Sequence, residues 1–149
     1  MTVKLLALPF DPWGEIQLYQ AQMDSHGRFG ATSVFVGSMR DFNDGDAVSA
    51  MTLEYYPGMT EKQLDAIIDS ALAQWRLLDV LVVHRTGRIM PGEPIVIVAV
   101  WSSHRGDAFD ASRFIMEALK SKAPFWKKEE LVAGGERWVE HNSSGYQPE

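Results

Sequence analysis

Hydrophobic residues along the chain follow two periods, and the change between them predicts both strands and helices. Residues 2–8 and 31–36 are short apolar runs, and residues 47–56 alternate between apolar and polar, which is typical of strands. From Thr60 onward the apolar residues recur every three or four positions, as on one face of a helix. They are Leu64, Ile67, Ile68, Ala71, Leu72, Trp75 and Leu78. This stripe predicts a helix that packs on the core.

The starts of the predicted helices are marked by small polar residues. Apolar residues at helical spacing predict a first helix over residues 14–23. Thr60 followed by Gln63 has the spacing of a capping box for the second helix. Asp107 followed by Asp110 has the same spacing for a third. The predicted core face of the third helix consists of Ala111, Phe114, Ile115, Ala118 and Leu119.

Two strongly apolar strands are predicted at Val80–Val83 and Ile95–Trp101. Their connection is too short for a parallel crossover, which needs a dozen or more residues, so the strands should pair antiparallel. Each strand is followed by a His-Arg pair, His84-Arg85 and His104-Arg105. Antiparallel pairing puts these pairs at opposite ends of the sheet. We therefore expect at most one of them to join a given site.

Four of the six lysines lie between Lys120 and Glu129. Pro124 ends any helix that arrives from the N-terminal side, and Phe125 with Trp126 supplies apolar surface that pins the segment to the core. The segment is therefore predicted to be an ordered turn. Two interpretations stay open: a site for an anionic ligand or for amines with tuned pKa values, and a solvated basic turn after a helix.

Arg40 follows the second strand, just beyond Gly37. A charge where a strand meets a loop is either placed for a ligand or simply exposed. The acidic loop at residues 41–46 does not fit a calcium site, because the register puts Arg40 at the first ligand position. Two histidines that follow strands lack a third ligand at convincing spacing. We therefore predict no metal site.

Composition restricts the class of protein. The 149 residues, with 46% apolar and 23% charged, fit one domain at residues 1–141 with a frayed tail at 142–149. No apolar run spans a bilayer, and the N-terminal run does not read as a signal peptide, so we expect a cytoplasmic location and no membrane partner. Zero cysteines exclude thiolate chemistry. The net charge of −6 argues against nucleic-acid binding.

Five segments between about residues 30 and 139 occur in the order and spacing of one family. They are Gly37-Ser-Met-Arg40, Leu53-Glu-Tyr-Tyr-Pro-Gly-Met59, His84-Arg-Thr-Gly87, His104-Arg-Gly-Asp-Ala-Phe109 and Ala123-Pro-Phe-Trp-Lys-Lys-Glu129. With them the sequence resembles the large, catalytic subunits of molybdopterin synthase. Met39 stands where relatives more often have valine, and His141-Asn142 stands near a position where some carry arginine.

The resemblance implies an α+β protein with the α/β-hammerhead fold, a mostly antiparallel sheet and a single domain. It implies a sulfurtransferase that works as a homodimer and binds one small ubiquitin-like subunit at each end, giving a heterotetramer. The small subunit's Gly-Gly terminus carries a thiocarboxylate, whose sulfur is delivered to cyclic pyranopterin monophosphate to form the dithiolene of molybdopterin. No metal or organic cofactor is implied. A chain without cysteine fits an enzyme whose sulfur arrives on a partner.

The resemblance also implies the site residues. Lys120 and Lys127 correspond to the catalytic lysines. The substrate-binding set is Ser38, Met39, Arg40, His104, Arg105, Lys120, Lys127, Lys128 and Glu129. Fifteen helical residues put Arg105 about 22 Å from Lys120, so we predict that two protomers share each site. A non-catalytic phosphate- or pterin-binding module and a pure assembly subunit are the alternative functions.

Overall fold

The computed structural model of the chain describes residues 1–142 and 145–146. The three helices are α1 (Pro12–Ala21), α2 (Met59–Gln74) and α3 (Arg105–Lys122). The strands are β1 (Thr2–Leu6), β2 (Ala31–Ser38), β3 (Phe42–Asn43), β4 (Asp46–Tyr55), β5 (Leu77–Arg85), β6 (Gly87–Ile89), β7 (Pro94–Ser102), β8 (Phe125–Leu131) and β9 (Glu136–Trp138). Among the described residues, no helix combines the length and the apolarity needed to cross a bilayer.

The first sheet has the strand order β1-β5-β7-β2 and lies between layers of helix. Only the β1–β5 pair is parallel; β5 and β2 both pair antiparallel with β7, as predicted for β5 and β7. Alternate residues of β5 face opposite layers, so Val80 and Val82 pack with α2 and α3, whereas Leu81 and Val83 pack with Ile16 of α1. Burial on both faces explains why the two central strands, β5 and β7, are apolar at most positions.

The second sheet has the order β3-β4-β8-β9, and β6 also pairs with β4. Its buried face carries a smaller apolar cluster of Met39, Val48, Met51, Leu53 and Ile89. The connection between the two predicted core strands, β5 and β7, contains the short strand β6. All pairs in this sheet are antiparallel, which confirms the α+β class with mostly antiparallel sheet.

The predicted helix caps are wrong at two helices. Helix α2 begins two residues earlier than the Thr60–Gln63 spacing indicated, with Gly58 at the N-cap and its N–H donating to Glu61 Oε2 over 2.6 Å. Helix α3 begins at Arg105 with His104 at the N-cap, and not at Asp107. The side chain of Glu61 caps α2 at Gly58, whereas His104 has an extended backbone and no side-chain cap, so neither helix uses the predicted polar pair.

The predicted stripe of α2 is only partly buried. Leu64, Ile67, Ile68 and Ala71 are buried, as predicted. Leu72 is 38% exposed. Trp75 is the C-cap, and Leu78 lies in β5. The core face of α3 is confirmed, with Phe114 partly buried and the other four residues buried.

After α3 the chain turns back as an extended strand. Ala123 is extended (φ −77°, ψ 132°), Pro124 follows, and β8 runs antiparallel to β4. The segment from Lys127 to Glu129 is therefore a strand and not the predicted turn. Buried Thr60 secures this corner, because its Oγ1 accepts from the N–H of Tyr56 over 3.0 Å and donates to the carbonyl of Pro124 over 3.2 Å.

Removing the hydroxyl of Thr60 should destabilise the fold. We expect Thr60→Val to lower the free energy of unfolding by about 1–3 kcal/mol, because it leaves the N–H of Tyr56 and the carbonyl of Pro124 without their hydrogen-bond partner. Urea unfolding at equilibrium measures this loss. Thr32, on β2, is exposed, so Thr32→Val should stay within about 0.5 kcal/mol of wild type. Equal stability of the two variants would contradict the structural role of Thr60.

Candidate active site

A cavity of about 420 Å³ opens where the end of β2, the C-terminal part of α3 and the start of β8 meet. Its volume is in the range of small-molecule sites. Its lining includes apolar side chains from both sheets and from α3, together with three cations, Arg40, Lys120 and Lys127. Two carboxylates, Glu117 and Glu129, also line it. Three cations meet here in a chain whose net charge is −6.

The corner at Pro124 brings the two lysines to one cavity. Lys120 lies in the last turns of α3, and Lys127 lies on β8, opposite Leu53 of β4. Alternate side chains of a strand point to the same face, so Lys127 and Glu129 share the face that lines the cavity. Asn142 joins the lysines, since Lys127 Nζ donates to its Oδ1 over 3.2 Å and its Nδ2 donates to the carbonyl of Lys120.

The surroundings of Lys127 make its ammonium a stronger acid than that of an ordinary lysine. Burial, and then the positive charge of Lys120, lower the pKa of Lys127 to about 8. The carboxylate of Glu129 offsets part of this effect. At pH 7 about a tenth of such amines are uncharged. Lys127 can therefore exchange a proton near neutral pH, as a general acid or base must.

Glu129 is only 5% exposed, and its carboxylate already has hydrogen-bond partners. Its Oε1 accepts from Asn43 Nδ2 and from Arg137 Nε, each over 3.1 Å. Arg137 also bonds Asp46 Oδ2 over 2.7 Å and the carbonyl of Asn43 over 2.8 Å. This network ties the β3–β4 hairpin to β8 and β9. Sequence reasoning did not single out Arg137. Its position opposite Glu129 depends on the register in which β9 pairs with β8.

The segment that leaves β2 supplies one wall of the cavity. Ser38 is exposed, and Met39 is 6% exposed and packs in the cluster of the second sheet, so methionine fills the place of the more usual valine. Arg40 is exposed, and its guanidinium lies 4.8 Å from the centroid of the Phe42 ring. All three of these predicted site residues line the cavity.

His84 also lines the cavity, although the sequence analysis did not include it in the site. Its ring stacks on Phe125 with 4.0 Å between centroids, and its Nδ1 lies 2.8 Å from the carbonyl of Arg85, so Nδ1 donates. Burial is the main cause that lowers the pKa of His84 to about 4, and the charges of Lys127 and Lys120 lower it further. The antiparallel order of β5 and β7 was the signal that could have found it, because it puts His84 at the Arg40 end of the sheet.

Three predicted site residues lie elsewhere in this chain. His104 and Arg105 follow Ser102 at the far end of β7, whereas Ser38 pairs with Pro94 at the near end. Lys128 points away from Lys127 on β8; it lies 3.5 Å from Glu136 Oε2 and over the ring of Trp138. None of the three is among the described residues that line the cavity. The described part of the chain contains no group of three or more His, Asp or Glu residues placed to hold a metal ion.

Comparison with known proteins agrees with these features. The model of the family described as "MoaE protein" matches residues 12–122. The chain belongs to this family. The molybdopterin synthase catalytic subunit of Ralstonia nicotianae is 50% identical over 139 residues, covering 93% of this chain and 77% of the relative. The subunit of the same name from Haemophilus influenzae is 48% identical over 144 residues, covering 97% of this chain and 95% of the relative.

Two solved structures share the fold of this chain. The molybdopterin synthase of Staphylococcus aureus superposes with a TM-score of 0.81 at 30% identity, covering 93% of this chain and 96% of the other. A complex of subunits 1 and 2 of the molybdopterin-converting factor from Helicobacter pylori superposes with a TM-score of 0.77, covering 95% and 92%. It is 18% identical, so it supports the fold alone. The single-domain fold implied by the resemblance is thus confirmed.

The buried imidazole of His84 should make stability depend on pH. Its pKa is about 4 when folded and 6.5 when exposed, so the unfolded chain binds the proton more tightly. Above about pH 6.5, His84 does not reduce the free energy of unfolding. As the pH falls to 4, the reduction grows to about 3 kcal/mol. Urea unfolding between pH 4 and 7 measures it. His84→Phe keeps a ring against Phe125 and should flatten the profile; an unchanged profile would contradict a neutral buried His84.

Proposed function

We propose that this chain is the catalytic subunit of a molybdopterin synthase. Its cavity transfers sulfur from the C-terminal thiocarboxylate of a small ubiquitin-like subunit to cyclic pyranopterin monophosphate. The observation that carries the proposal is the pair of lysines in one cavity, Lys120 and Lys127, with the pKa of Lys127 lowered to about 8. The relatives named above as molybdopterin synthase catalytic subunits support it.

The cations of the cavity fit the chemistry of this substrate. Arg40 is suited to the phosphate, because guanidinium and phosphate form strong charge-assisted hydrogen bonds. Sulfur addition and loss of oxygen at the pterin side chain require proton transfers, and Lys127 has a pKa close to neutral pH. Lys120 supplies a second positive charge that stabilises negative charge as it develops. Glu129 holds the hairpin next to Arg40 and adjusts the pKa of Lys127, and Ser38 and Met39 shape the wall.

The sulfur donor is a separate small subunit with a Gly-Gly terminus. A glycine tail can enter a narrow opening because it carries no side chains and lets its backbone approach closely. We assign the tail to the cavity, with its end beside Lys127. The Helicobacter pylori relative, a complex of two subunits, is a precedent for such a pairing within this fold. The reaction needs no metal or organic cofactor in this scheme, and a cytoplasmic location remains a prediction.

The assembly is a homodimer that carries two small subunits, and each active site draws on both large subunits. His104 and Arg105 belong to the substrate-binding set that the resemblance implies, yet they lie at the far end of β7 from Ser38. Nine residues of strand span about 26 Å, too far for one small pterin. In a two-fold dimer, the patch around His104 and Arg105 of one protomer completes the cavity of its partner. Lys128, on the outer face of β8, extends the basic surface near the site.

Replacing either lysine should abolish most of the activity without unfolding the protein. We expect Lys120→Ala and Lys127→Ala each to lower dithiolene formation from thiocarboxylated small subunit and pyranopterin by about 10²-fold or more, since general acid–base groups contribute about 10²–10⁴-fold. Lys62→Ala removes an exposed lysine of α2 and should keep full activity at the same thermal stability. Normal turnover by both variants would rule out the catalytic role, and tight pterin binding without turnover in wild type would favour the non-catalytic module.

Complementation between inactive variants tests the shared site. Arg105→Ala and Lys120→Ala proteins should each be nearly inactive alone. After equal mixing and subunit exchange, half of the dimers are mixed and each has one intact site, so roughly a quarter of wild-type activity should return. Mass spectrometry of a tagged protomer verifies the exchange. Exchange without recovered activity would mean that each protomer builds its site alone.

A further inference from the structure

The end of β2, just before Arg40, is held by one turn. The regular pairing of β2 with β7 is broken by a register shift between Gly37 and Ser38. Beyond it, the N–H of Met39 donates to the carbonyl of Glu93 over 3.0 Å, and the N–H of Gly92 donates to the carbonyl of Met39 over 2.8 Å. Both backbone groups of the residue preceding Arg40 therefore bond to the Gly92–Glu93 turn.

A buried arginine outside the cavity secures this turn. Arg85 Nη1 lies 2.7 Å from Glu93 Oε2, and Arg85 Nη2 donates to the carbonyl of Arg88 over 2.8 Å. The side chain of Arg85 is 5% exposed, and that of Glu93 is 28% exposed. The rigid guanidinium fork binds Arg88 of β6 and Glu93 of the turn before β7 at the same time, which a flexible ammonium would do less well.

The cost of this arrangement indicates more than a contribution to stability. Arg85 Nε is buried without a hydrogen-bond partner among the described residues. Burying a guanidinium with an unpaired N–H is unfavourable, and buried ion pairs are commonly no more stabilising than apolar residues of the same size. The pair instead links the last residue of β5 to the turn before β7, and this turn is bonded to Met39, which precedes Arg40.

We infer that Arg85 and Glu93 are positioning residues for Arg40. The ion pair fixes the conformation of the Gly92–Glu93 turn, and the backbone hydrogen bonds of this turn fix the position of Met39. The position of Met39 in turn determines where the guanidinium of Arg40 enters the cavity. The inference deepens the proposed function and rests on it, because the phosphate contact of Arg40 is what the positioning serves. The two residues of the first His-Arg pair thus have different roles: His84 lines the cavity, and Arg85 orients a substrate-binding residue.

Glu93→Gln is the variant of choice, because it removes the charge and keeps the size at a partly exposed position. We expect the KM for the pyranopterin to rise about 5- to 10-fold, because one charge-assisted contact with the substrate is no longer well aligned, and kcat to stay within about twofold of wild type. Glu130→Gln is the matched control: it breaks the Arg88–Glu130 ion pair, whose nitrogen and oxygen lie 3.0 Å apart at the surface, and should leave the KM unchanged.

A double-mutant cycle separates positioning from a general loss of structure. In an Arg40→Ala background, Glu93→Gln should change the KM by less than about twofold, because the residue it positions is gone. The inference is wrong if the KM of the double variant rises by the product of the two single-variant increases. It is also wrong if Glu93→Gln folds and keeps the wild-type KM.

Hydrogen exchange tests the anchoring without any activity. Glu93→Gln should speed exchange of the Met39 and Gly92 amides by about tenfold or more and leave the amides of α2 unchanged, since the anchor opens locally. Unchanged exchange at Met39 would overturn the inference. Wild-type protein that forms no dithiolene would overturn the proposed function and the role of Arg40 with it, whereas failure of the exchange or cycle experiments with active wild type overturns only the positioning.

Discussion

The antiparallel pairing of β8 with β4 is the constraint on which the candidate site depends. Helix α3 runs along the first sheet and ends at Lys122, and Pro124 forces the chain into an extended return. Leu53 opposite Lys127 and Met51 opposite Glu129 then fix which side chains face the cavity. A slip of one residue would turn Lys128 inward and Lys127 outward. The bonds of Thr60 to Tyr56 and Pro124 hold this corner in register.

The electrostatics of the cavity follow from this geometry. Three cations converge in an acidic chain, and Lys127 loses solvent, so burial and repulsion from Lys120 combine to lower its pKa. Burial, assisted by the charges of Lys127 and Lys120, lowers the pKa of His84 and keeps its ring neutral, which prevents a further positive charge in the cavity. Glu129 offsets the cations only in part, and its Oε1 is also bonded to Arg137 and Asn43. A cavity with excess positive charge favours a phosphate-bearing substrate and an anionic sulfur donor.

Much of the architecture could be predicted from the sequence because it depends on local periodicity. The stripe from Leu64 to Ala71 indicated the buried helix, and two apolar runs joined by a short connection indicated an antiparallel pair. The end of α3 before Pro124 could be predicted for the same reason, because proline restricts the backbone next to it. Five motifs in order indicated the family, and with it Arg40, Lys120 and Lys127, all of which line one cavity. Local patterns failed at the helix starts, where Gly58 and His104 hold the N-cap positions.

The sequence by itself determined the class of fold, the family and the residue types of the site. Only the tertiary structure decided which of these residues meet. It brought His84 into the cavity, left His104 and Arg105 at the far end of β7, and placed Arg85 beside Glu93. The physical reason is that register, burial and charge proximity depend on residues distant along the chain. Asn43, which donates a hydrogen bond to Glu129, lies 86 residues before it along the chain, and only the packing of the second sheet brings the two side chains together.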